Sequence, residues 1–429
     1  MAHLVYRSKS FWSKLGQFCE TAQVSQTIID SVAKVLADVR SKGDKAISDT
    51  LKRLDGVRLK PSRFRIAEQE MREAIKALSK ENVSAIKESV ASVTEYHRHA
   101  LPKSWTARNA HGATIGERFH PIERVGLYIP ADLVSTVVMT ASLAKLAGVP
   151  EIVAFTPCSK EGIVNPGTLA AMKLAGVTEA YRVAGVPAIA AMAYGTETIK
   201  PVLKVYGPGS AYTVEAKRQV YGTVGVDLLP GPSELMVIAD SSANPSFVAS
   251  DLLAQAEHGT GREKIFLISL SSETAKAIKS QIRLQLKSLT RRDAINTVLK
   301  DGFVSIQVQS YEQAAEVANF VAPEHLELEV ESSKFNLLLR RIRTAGAIMQ
   351  GVWTATALGD FVAGPSHELP TGRSGRYFSG LQISDFLRRS SLIRYSKKAL
   401  ERAASAVESF ARMEKLDGHG RSVSIRLEK

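Results

Sequence analysis

Short apolar runs alternate with alanine-rich helical stretches through the middle of this chain, and that alternation constrains the fold more than any other feature. The first block predicts strands near 125–129, 151–155, 180–183 and 203–206, with helices near 135–147, 168–175 and 188–194 between them. The alternation resumes after Gly231, with strands near 234–239, 265–268 and 303–308 and helices near 245–257, 272–288 and 311–321. Strands that alternate with helices form parallel sheets with both faces covered, so the sequence predicts an α/β fold.

Helical segments flank the two blocks. Residues 22–100 predict helices with a break at Lys42-Gly43-Asp44, and a terminal helix is predicted from about Ser396. A loop rich in glycine and arginine follows Pro370, and a short segment near 382–395 leads into the terminal helix. Because 429 residues exceed what one hydrophobic core organises, we expect roughly two or three domains.

Charge and cysteine usage narrow the class of protein. The net charge of +13 is compatible with nucleic-acid binding or with a basic surface that attracts anionic cofactors. Lysine and arginine are spread along the chain without a basic tail, which favours the second interpretation and predicts no nucleic-acid partner. The two cysteines have no paired-ligand spacing and fit a reducing cytoplasm. We expect no secretion signal and no membrane span, because no apolar run is long enough.

The last four of the nine histidines each stand within two residues of an acid. These pairs are Glu257-His258, Glu324-His325, His367-Glu368 and Asp417-Gly-His419. Histidine beside a carboxylate is common in metal sites and in proton transfer near neutral pH. The pattern therefore predicts one site assembled from distant segments, although a lone surface or core histidine is the more frequent outcome for any single pair.

Two of these pairs suggest specific chemistry. Gln255 and His258 are three residues apart near the end of a predicted helix, so they share a face and could ligate one metal ion. Glu324-His325 could supply two bases, an imidazole for an alcohol proton and a carboxylate for a water. A solvated acid beside a capping histidine is the alternative for that dipeptide.

Glycine-rich segments offer candidate anion sites. Gly207-Pro-Gly-Ser210 precedes a predicted helix and could present backbone N–H groups to a phosphate, and Pro230-Gly-Pro-Ser233 precedes a strand. Neither is a dinucleotide fingerprint, so both could be ordinary turns. Arg373 and Arg376 make a basic loop that could equally be a solvated surface.

Several longer stretches resemble histidinol dehydrogenases in order and spacing over nearly the whole chain. They are YGPGSAYTVEAKRQ, GPSELMVIADSSANPSFVASDLL, SDLLAQAEHG, APEHLEL, GDFVAGPSHELPTG and EKLDGH. The resemblance implies an enzyme of histidine biosynthesis that oxidises L-histidinol to L-histidine by two hydride transfers to NAD, with one zinc ion holding the substrate.

The resemblance also implies roles for individual residues. The expected zinc ligands are Gln255, His258, Asp360 and His419. Glu324 and His325 would be the catalytic pair, His325 taking the alcohol proton and Glu324 activating a water. Further substrate contacts would come from Ser233, His367 and Glu414, besides His325 and the metal ligands. The mixed nitrogen and oxygen ligand set suits Zn²⁺, with Mn²⁺ possible.

The expected architecture is two incomplete Rossmann-like domains with parallel sheets, plus small helical N- and C-terminal parts. The corresponding division is an arm over 1–22, a zinc and catalytic domain over 23–127 and 234–380, an inserted cofactor-side domain over 128–233, and a C-terminal segment over 381–429. In the family that last segment completes the site of the partner in an intertwined homodimer, so Glu414 and His419 would act on the other subunit.

The departures from the family pattern concentrate on the cofactor side. The family contacts NAD through a tyrosine, a glutamine and an asparagine, and the matching positions here are Tyr128, Pro187 and Ser210. The loop after Tyr128 is also shortened, and the family's Asn-His is Ser366-His367. Two lost neutral hydrogen bonds would weaken NAD binding by roughly 5- to 150-fold, so we expect a working dehydrogenase with a non-standard cofactor site.

Two alternatives have different signatures. A related enzyme of the same fold that oxidises another small alcohol, such as a sulfonated diol, should have altered contacts for the imidazole, whereas Ser233, Glu414 and His419 all persist here. A non-enzymatic role would be marked by loss of Glu324 or His325, and neither is lost. Histidinol dehydrogenase chemistry is therefore the favoured prediction.

Overall fold

A computed structural model describes residues 1–20, 24–258 and 260–428 of the chain. Its strands, in chain order, are β1 Ala2–Val5, β2 Arg65–Ile66, β3 Trp105–Arg108, β4 Thr114–Pro121, β5 Arg124–Tyr128, β6 Glu151–Phe155, β7 Glu179–Tyr181, β8 Lys204–Tyr206, β9 Gly225–Val226, β10 Glu234–Ala239, β11 Lys264–Ser269, β12 Phe303–Gln307, β13 His325–Glu329, β14 Ala347–Gln350 and β15 Leu387–Arg394.

Its helices are α1 Phe11–Cys19, α2 Gln26–Leu54, α3 Glu68–Ala77, α4 Lys80–Arg98, α5 Val134–Leu146, α6 Pro166–Ala175, α7 Gly185–Tyr194, α8 Ala211–Val220, α9 Pro245–Ala256, α10 Ser272–Gln285, α11 Arg292–Asp301, α12 Tyr311–Val321, α13 Phe335–Arg341, α14 Thr356–Phe361, α15 Lys397–Glu414 and α16 Asp417–Ser424. These elements confirm the predicted alternation of strands and helices, and the predicted break in the first long helix lies at Gly43, where the backbone is not helical.

The first sheet has six parallel strands in the order β1-β12-β11-β10-β13-β14. Successive residues of β10 face opposite cores: Met236 and Ile238 pack with α1, α12 and α13, whereas Leu235 and Val237 pack with α9, α10 and α11. A sheet covered on both faces favours apolar residues on both faces of its central strands, as in residues 235–239 of β10.

The second sheet has six strands in the order β2-β7-β6-β5-β8-β9, parallel except for the short antiparallel β2 at its edge. One face packs against α3, α4, α5 and α6, and the other against α2, α7 and α8. Two parallel sheets with covered faces confirm the predicted α/β class.

The packing corrects the predicted grouping of residues 23–127 with 234–380. The apolar face of α2, including Val32, Val39 and Ile47, is buried with α7 and α8 on the second sheet. α3 and α4 pack against α5 and α6 on the opposite face of that sheet. The predicted boundary at 127/128 divides β5 one residue before its end. Helical periodicity shows which face of a helix is buried but not which sheet buries it.

The first residues also depart from prediction. β1 pairs with β12 as an edge strand of the first sheet, and Phe11 and Leu15 of α1 are buried against the same sheet. Residues 1–20 are therefore an integral part of this sheet's layer and not a separate arm. The predicted boundary at residues 22/23 lies outside the described residues.

A third, antiparallel sheet in the order β15-β4-β3 was not predicted. β15 pairs with β4 over its whole length, from Leu387 opposite Pro121 to Arg394 opposite Thr114. Just before β15, Phe386 stacks on Tyr206 of the second sheet with ring centroids 4.2 Å apart. α15 and α16 then form a helical pair at the end of the chain.

Among the described residues, no helix is long and apolar enough to span a membrane.

A short connection links one edge of the second sheet to one edge of the first sheet. β9 ends at Val226 on the carboxyl edge of the second sheet, and β10 begins at Glu234 on the amino edge of the first. The connection over 227–233 therefore joins these edges directly. Tyr128, at the end of β5, lies on the first of these edges, whereas His325 opens β13 on the second.

Candidate active site

Glu324 and His325 mark the start of β13. The preceding helix α12 ends at Val321 and is followed by Ala322, which has a positive φ of 51°, and by Pro323. His325 then pairs in register with Leu235 of β10, and the Glu324 carboxylate accepts a hydrogen bond of 2.8 Å from the backbone N–H of Glu234. Both side chains are buried, and β10 and β14 pair with β13 on either side of His325.

The His325 imidazole lies between two acids. Its Nε2 is 3.6 Å from Asp360 Oδ1 and its Nδ1 is 3.8 Å from Glu324 Oε2. Both separations exceed ordinary hydrogen-bond length. Burial, and then the nearby His367, lower the pKa of His325 to about 3. The imidazole is therefore neutral at physiological pH, the form that accepts a proton.

The acids of the site have raised pKa values. Burial raises the pKa of Glu324 well above its ordinary value, and the negative charges of Glu234 and Asp360 add to the effect. Burial raises the pKa of Asp360 to about 6 against an opposing effect of His258. No lysine or arginine is among the described groups that act on either carboxyl. Such a group of acids has the electrostatics of a cation site.

The end of α9 brings Gln255 and His258 to these acids. Gln255 lies in the last turn of the helix and is 3% exposed, and its amide nitrogen has no hydrogen-bond partner among the described residues. His258 follows the helix and is exposed, and its electrostatic effect reaches both Asp360 and His325. α9 runs antiparallel to β10, so its C-terminal end returns to the sheet edge that carries His325.

Asp360 is positioned by the strand that carries His325. It lies on the short helix α14, which begins at Thr356. Glu327 Oε1 accepts hydrogen bonds from the Thr356 N–H at 2.9 Å and from the Thr356 hydroxyl at 2.6 Å. Because Glu327 is two residues beyond His325 on β13, the two side chains leave the same face of the sheet. β13 thus carries the predicted base, His325, and also positions the helix that carries the predicted metal ligand Asp360.

His367 and Ser233 complete the cluster within one chain. His367 Nδ1 is 3.2 Å from the backbone carbonyl of Asp360, and burial lowers the pKa of His367 to about 4. Ser366, just before it, donates a hydrogen bond to the Met139 carbonyl of α5 on the second sheet. Ser233 is half-buried immediately before β10, next to Glu234.

Glu414 and His419 lie apart from this cluster. Both are exposed on the helical pair α15 and α16, and no described hydrogen bond or ion pair joins their side chains to the site. Within residues 1–20, 24–258 and 260–428, no three His, Cys, Asp or Glu side chains are grouped to hold a metal ion. Of the predicted zinc ligands, one chain brings together Gln255, His258 and Asp360 and leaves out His419.

The predicted cofactor positions follow three strands of the second sheet. The Tyr128 hydroxyl accepts a hydrogen bond of 3.2 Å from the Gly185 N–H at the start of α7. Pro187 is buried as the third residue of α7, where a helix does not require its N–H. Ser210 precedes α8 with its hydroxyl 3.4 Å from that of Thr213, and caps no backbone N–H of the helix.

The shortened loop after Tyr128 is a tight turn. Asp132 has a positive φ of 61°, and its carboxylate accepts a hydrogen bond of 2.6 Å from the Asn165 side chain. The chain therefore passes from β5 to α5 in five residues, 129–133, with the turn tied to the start of α6.

Comparisons with known proteins agree on one family. The sequence profile of the histidinol dehydrogenases matches residues 19–427. The chain is 42% identical over 428 residues to the histidinol dehydrogenase of Rhizobium meliloti (strain 1021), covering 99% of this chain and 98% of that protein. The chain belongs to the histidinol dehydrogenase family. The histidinol dehydrogenase of Heliobacterium mobile is also 42% identical, over 93% of each chain.

A solved histidinol dehydrogenase structure, from Elizabethkingia anophelis, superposes with a TM-score of 0.94 at 31% identity, over 100% of this chain and 98% of that one. The match extends over both sheets, the antiparallel sheet and the terminal helices. As a member of this family of oxidoreductases, the chain has the family's complete fold, and the profile match includes every predicted site residue from Tyr128 to His419.

Sequence reasoning missed several residues that support the histidinol dehydrogenase site. The backbone N–H of Glu234 donates a hydrogen bond to the Glu324 carboxylate, and burial raises the pKa of the Glu234 side chain to about 7. Glu327 holds α14. A signal for Glu327 was present, because His325, Glu327 and Glu329 alternate with leucines in a strand that is buried throughout. Polar residues at a period of two on a buried strand indicate a face that lines a site.

Proposed function

We propose that the chain is a zinc- and NAD-dependent histidinol dehydrogenase, which oxidises L-histidinol through histidinaldehyde to L-histidine in the cytoplasm. Family membership supports the substrate and the reaction. The observation that carries the proposal is the buried Glu324–His325 pair beside Asp360 and His367, because it supplies two proton acceptors at one point.

The residues present suit a zinc ion. His258, Asp360 and the amide oxygen of Gln255 offer the nitrogen and oxygen donors that Zn²⁺ accepts. The raised pKa of Asp360, in a group of buried acids, supports a cation at this point. A fourth ligand would be His419 of a second copy of the chain. When bound, zinc would chelate the imidazole and amine of histidinol and fix the carbinol carbon.

The side chains of the pair divide the proton transfers. The neutral His325 imidazole takes the hydroxyl proton of histidinol while the carbinol hydrogen leaves as a hydride to NAD. Glu324 then removes a proton from the water that adds to the aldehyde carbon, giving the hydrate. The hydrate loses a second hydride to a second NAD and a hydroxyl proton to the same pair of bases, and the resulting acid ionises to the carboxylate. A carboxyl with a raised pKa is a stronger base once ionised, which suits this second role.

Exposed apolar side chains support an intertwined homodimer. Trp353, Leu358 and Phe361 flank Asp360 and are 82%, 42% and 54% exposed. Phe410 and Met413, on the segment that carries Glu414, are 61% and 68% exposed. One exposed apolar group accompanies Asp360 and the other accompanies Glu414. Both would be buried if the terminal segment of one copy packed against the Asp360 region of another.

The test is a spectrophotometric assay of the purified protein with L-histidinol. We expect NADH formation that is lost after treatment with a chelator and restored by Zn²⁺. A zinc-loaded protein that forms no NADH from histidinol even at high NAD would overturn the proposal.

A further inference from the structure

A buried ion pair holds both backbone polar groups of Gly207. Lys217 Nζ donates a hydrogen bond of 2.9 Å to the Gly207 carbonyl, and the Gly207 N–H donates one of 2.8 Å to Asp227 Oδ2. Lys217 and Asp227 also pair directly with each other. Their side chains are 1% and 4% exposed, so the group is closed to solvent.

This pair sets the turn that precedes α8. Gly207 has a φ of +109°, and a Cβ there would overlap the carbonyl oxygen of Tyr128 at the end of β5. The turn over 207–210 therefore lies directly on the neighbouring strand, at the edge where Tyr128 and Ser210 are found. Lys217 lies further along α8 and Asp227 follows β9, so the pair ties helix, turn and strand end together.

The same pair adjoins the substrate side. Asp227 opens the 227–233 connection, which ends beside Glu234 and the catalytic edge of the first sheet. Glu368, next to His367, is buried close enough to Asp227 and Lys217 for their charges to act on its carboxyl. The pair thus lies between the edge of the second sheet that carries the proposed cofactor positions and the edge of the first sheet that carries the catalytic pair.

A buried ion pair is weak evidence for stability alone, since well-packed apolar residues often replace one without loss. Here the two charged side chains bond the N–H and the carbonyl of Gly207. Apolar side chains could bond neither group. We propose that Lys217 and Asp227 are positioning residues, which hold the 207–210 turn against Tyr128 and thereby set the affinity for NAD without contacting it. The inference rests on the proposed function.

The experiment compares Lys217→Met with Arg124→Met. The buried Arg124 forms ion pairs with Glu151 and Glu179 at the start of β5, on the opposite edge of the same sheet. Both variants lose a buried cation, so both should lower Tm. Only Lys217→Met should raise the KM for NAD and the Kd for NADH, by about tenfold, with the KM for histidinol within about twofold of the parent protein.

Asp227→Asn supplies a second, milder arm. Its side-chain oxygen can still accept from the Gly207 N–H, so we expect a rise of about two- to fivefold in the Kd for NADH. This variant carries the test if Lys217→Met fails to fold. The inference is overturned if the folded Lys217 or Asp227 variants bind NADH like Arg124→Met while losing similar thermal stability.

Direct NADH binding, followed by fluorescence, separates this inference from the proposed function. A parent protein that binds NADH but oxidises no histidinol would overturn the substrate assignment, and weaker NADH binding by the Lys217 variant would still support the positioning role. A parent protein that binds no NADH would overturn the inference.

Discussion

At the scale of single residues, burial assigns different protonation states to the two proton acceptors of the site. It lowers the pKa of His325 to about 3 and raises that of Glu324 well above its ordinary value. The imidazole is thus ready to accept a proton from an alcohol, whereas the carboxyl becomes a base only after it ionises. This difference supports separate roles for the pair in two successive oxidations.

Replacing Glu324 with glutamine tests that division of labour. The aldehyde-to-acid step should slow by roughly 10²- to 10⁴-fold, because the amide cannot take a proton from water. The alcohol-to-aldehyde step should slow far less. The measurement compares rates from histidinol and from histidinaldehyde, and an equal loss in both steps would contradict the assignment.

Glu329 offers a pH-dependent prediction of stability. Burial, with the nearby Asp251 and Asp240, raises the pKa of Glu329 to about 7, and its Oε2 has no partner among the described residues. A raised folded-state pKa means that its favourable contribution is complete below about pH 4.5 and is lost as the pH rises through about 7. Glu329→Gln should therefore stabilise the protein by roughly 1–2 kcal/mol at pH 8 and change little at pH 5.

Denaturant unfolding at both pH values checks this expectation, with the exposed Glu401→Gln as the control. An equal effect of Glu329→Gln at pH 5 and pH 8 would show that the carboxyl does not titrate as inferred.

At the scale of elements, two short pieces of secondary structure position the site. β13 carries His325 and, two residues later, Glu327, which bonds the first residue of α14. The end of α9 carries Gln255 and precedes His258. Since α14 has only six residues, its placement depends on this bond to β13 more than on its own packing.

Glu327 is therefore expected to control metal affinity through Asp360. Glu327→Leu should weaken Zn²⁺ binding by roughly 10- to 100-fold, whereas Glu327→Gln keeps an acceptor for Thr356 and should retain most of the affinity. Competition with a chromogenic chelator measures the affinity directly. Equal zinc affinity in the leucine and glutamine variants would remove Glu327 from this role.

The local sequence pattern predicted most helices and strands but not which of them pack together. The interior strands β5 to β8 and β10 to β12 were predicted because they are short apolar runs, as in 235–239, whereas the edge strands β1, β2, β9 and β14 were not predicted. The antiparallel sheet was missed because its strands are largely exposed and polar, as in LRRSSLIR over 387–394. α2 was predicted as a helix, but the sheet that it covers depends on contacts with residues about 150 positions further along the chain.

The same limit applies to the site. Histidine beside an acid pointed to Glu324, His325 and His258, which do lie together. Lys217 and Asp227 gave no local signal, since their pairing depends on the register of β8 and β9.

At the scale of the whole molecule, one chain leaves the proposed site incomplete. Gln255, His258, Asp360 and His325 lie together, whereas Glu414 and His419 are exposed on the terminal helices. The proposed site therefore requires that two copies exchange these segments.

Coexpression of two inactive variants tests this exchange. In a dimer of His325→Ala with His419→Ala, one site receives both defects and the other receives none. Random pairing places half of the chains in such mixed dimers, so the mixture should recover about a quarter of the parent activity. Verified mixed dimers without activity above that of either variant alone would show that His419 acts within its own chain.

The proposed reaction is a four-electron oxidation in one active site, and it is tested by the number of NADH molecules formed for each histidinol consumed. We expect two NADH and one histidine per histidinol from the purified, zinc-loaded protein. One NADH with accumulation of the aldehyde, or histidinol left unchanged, would contradict it.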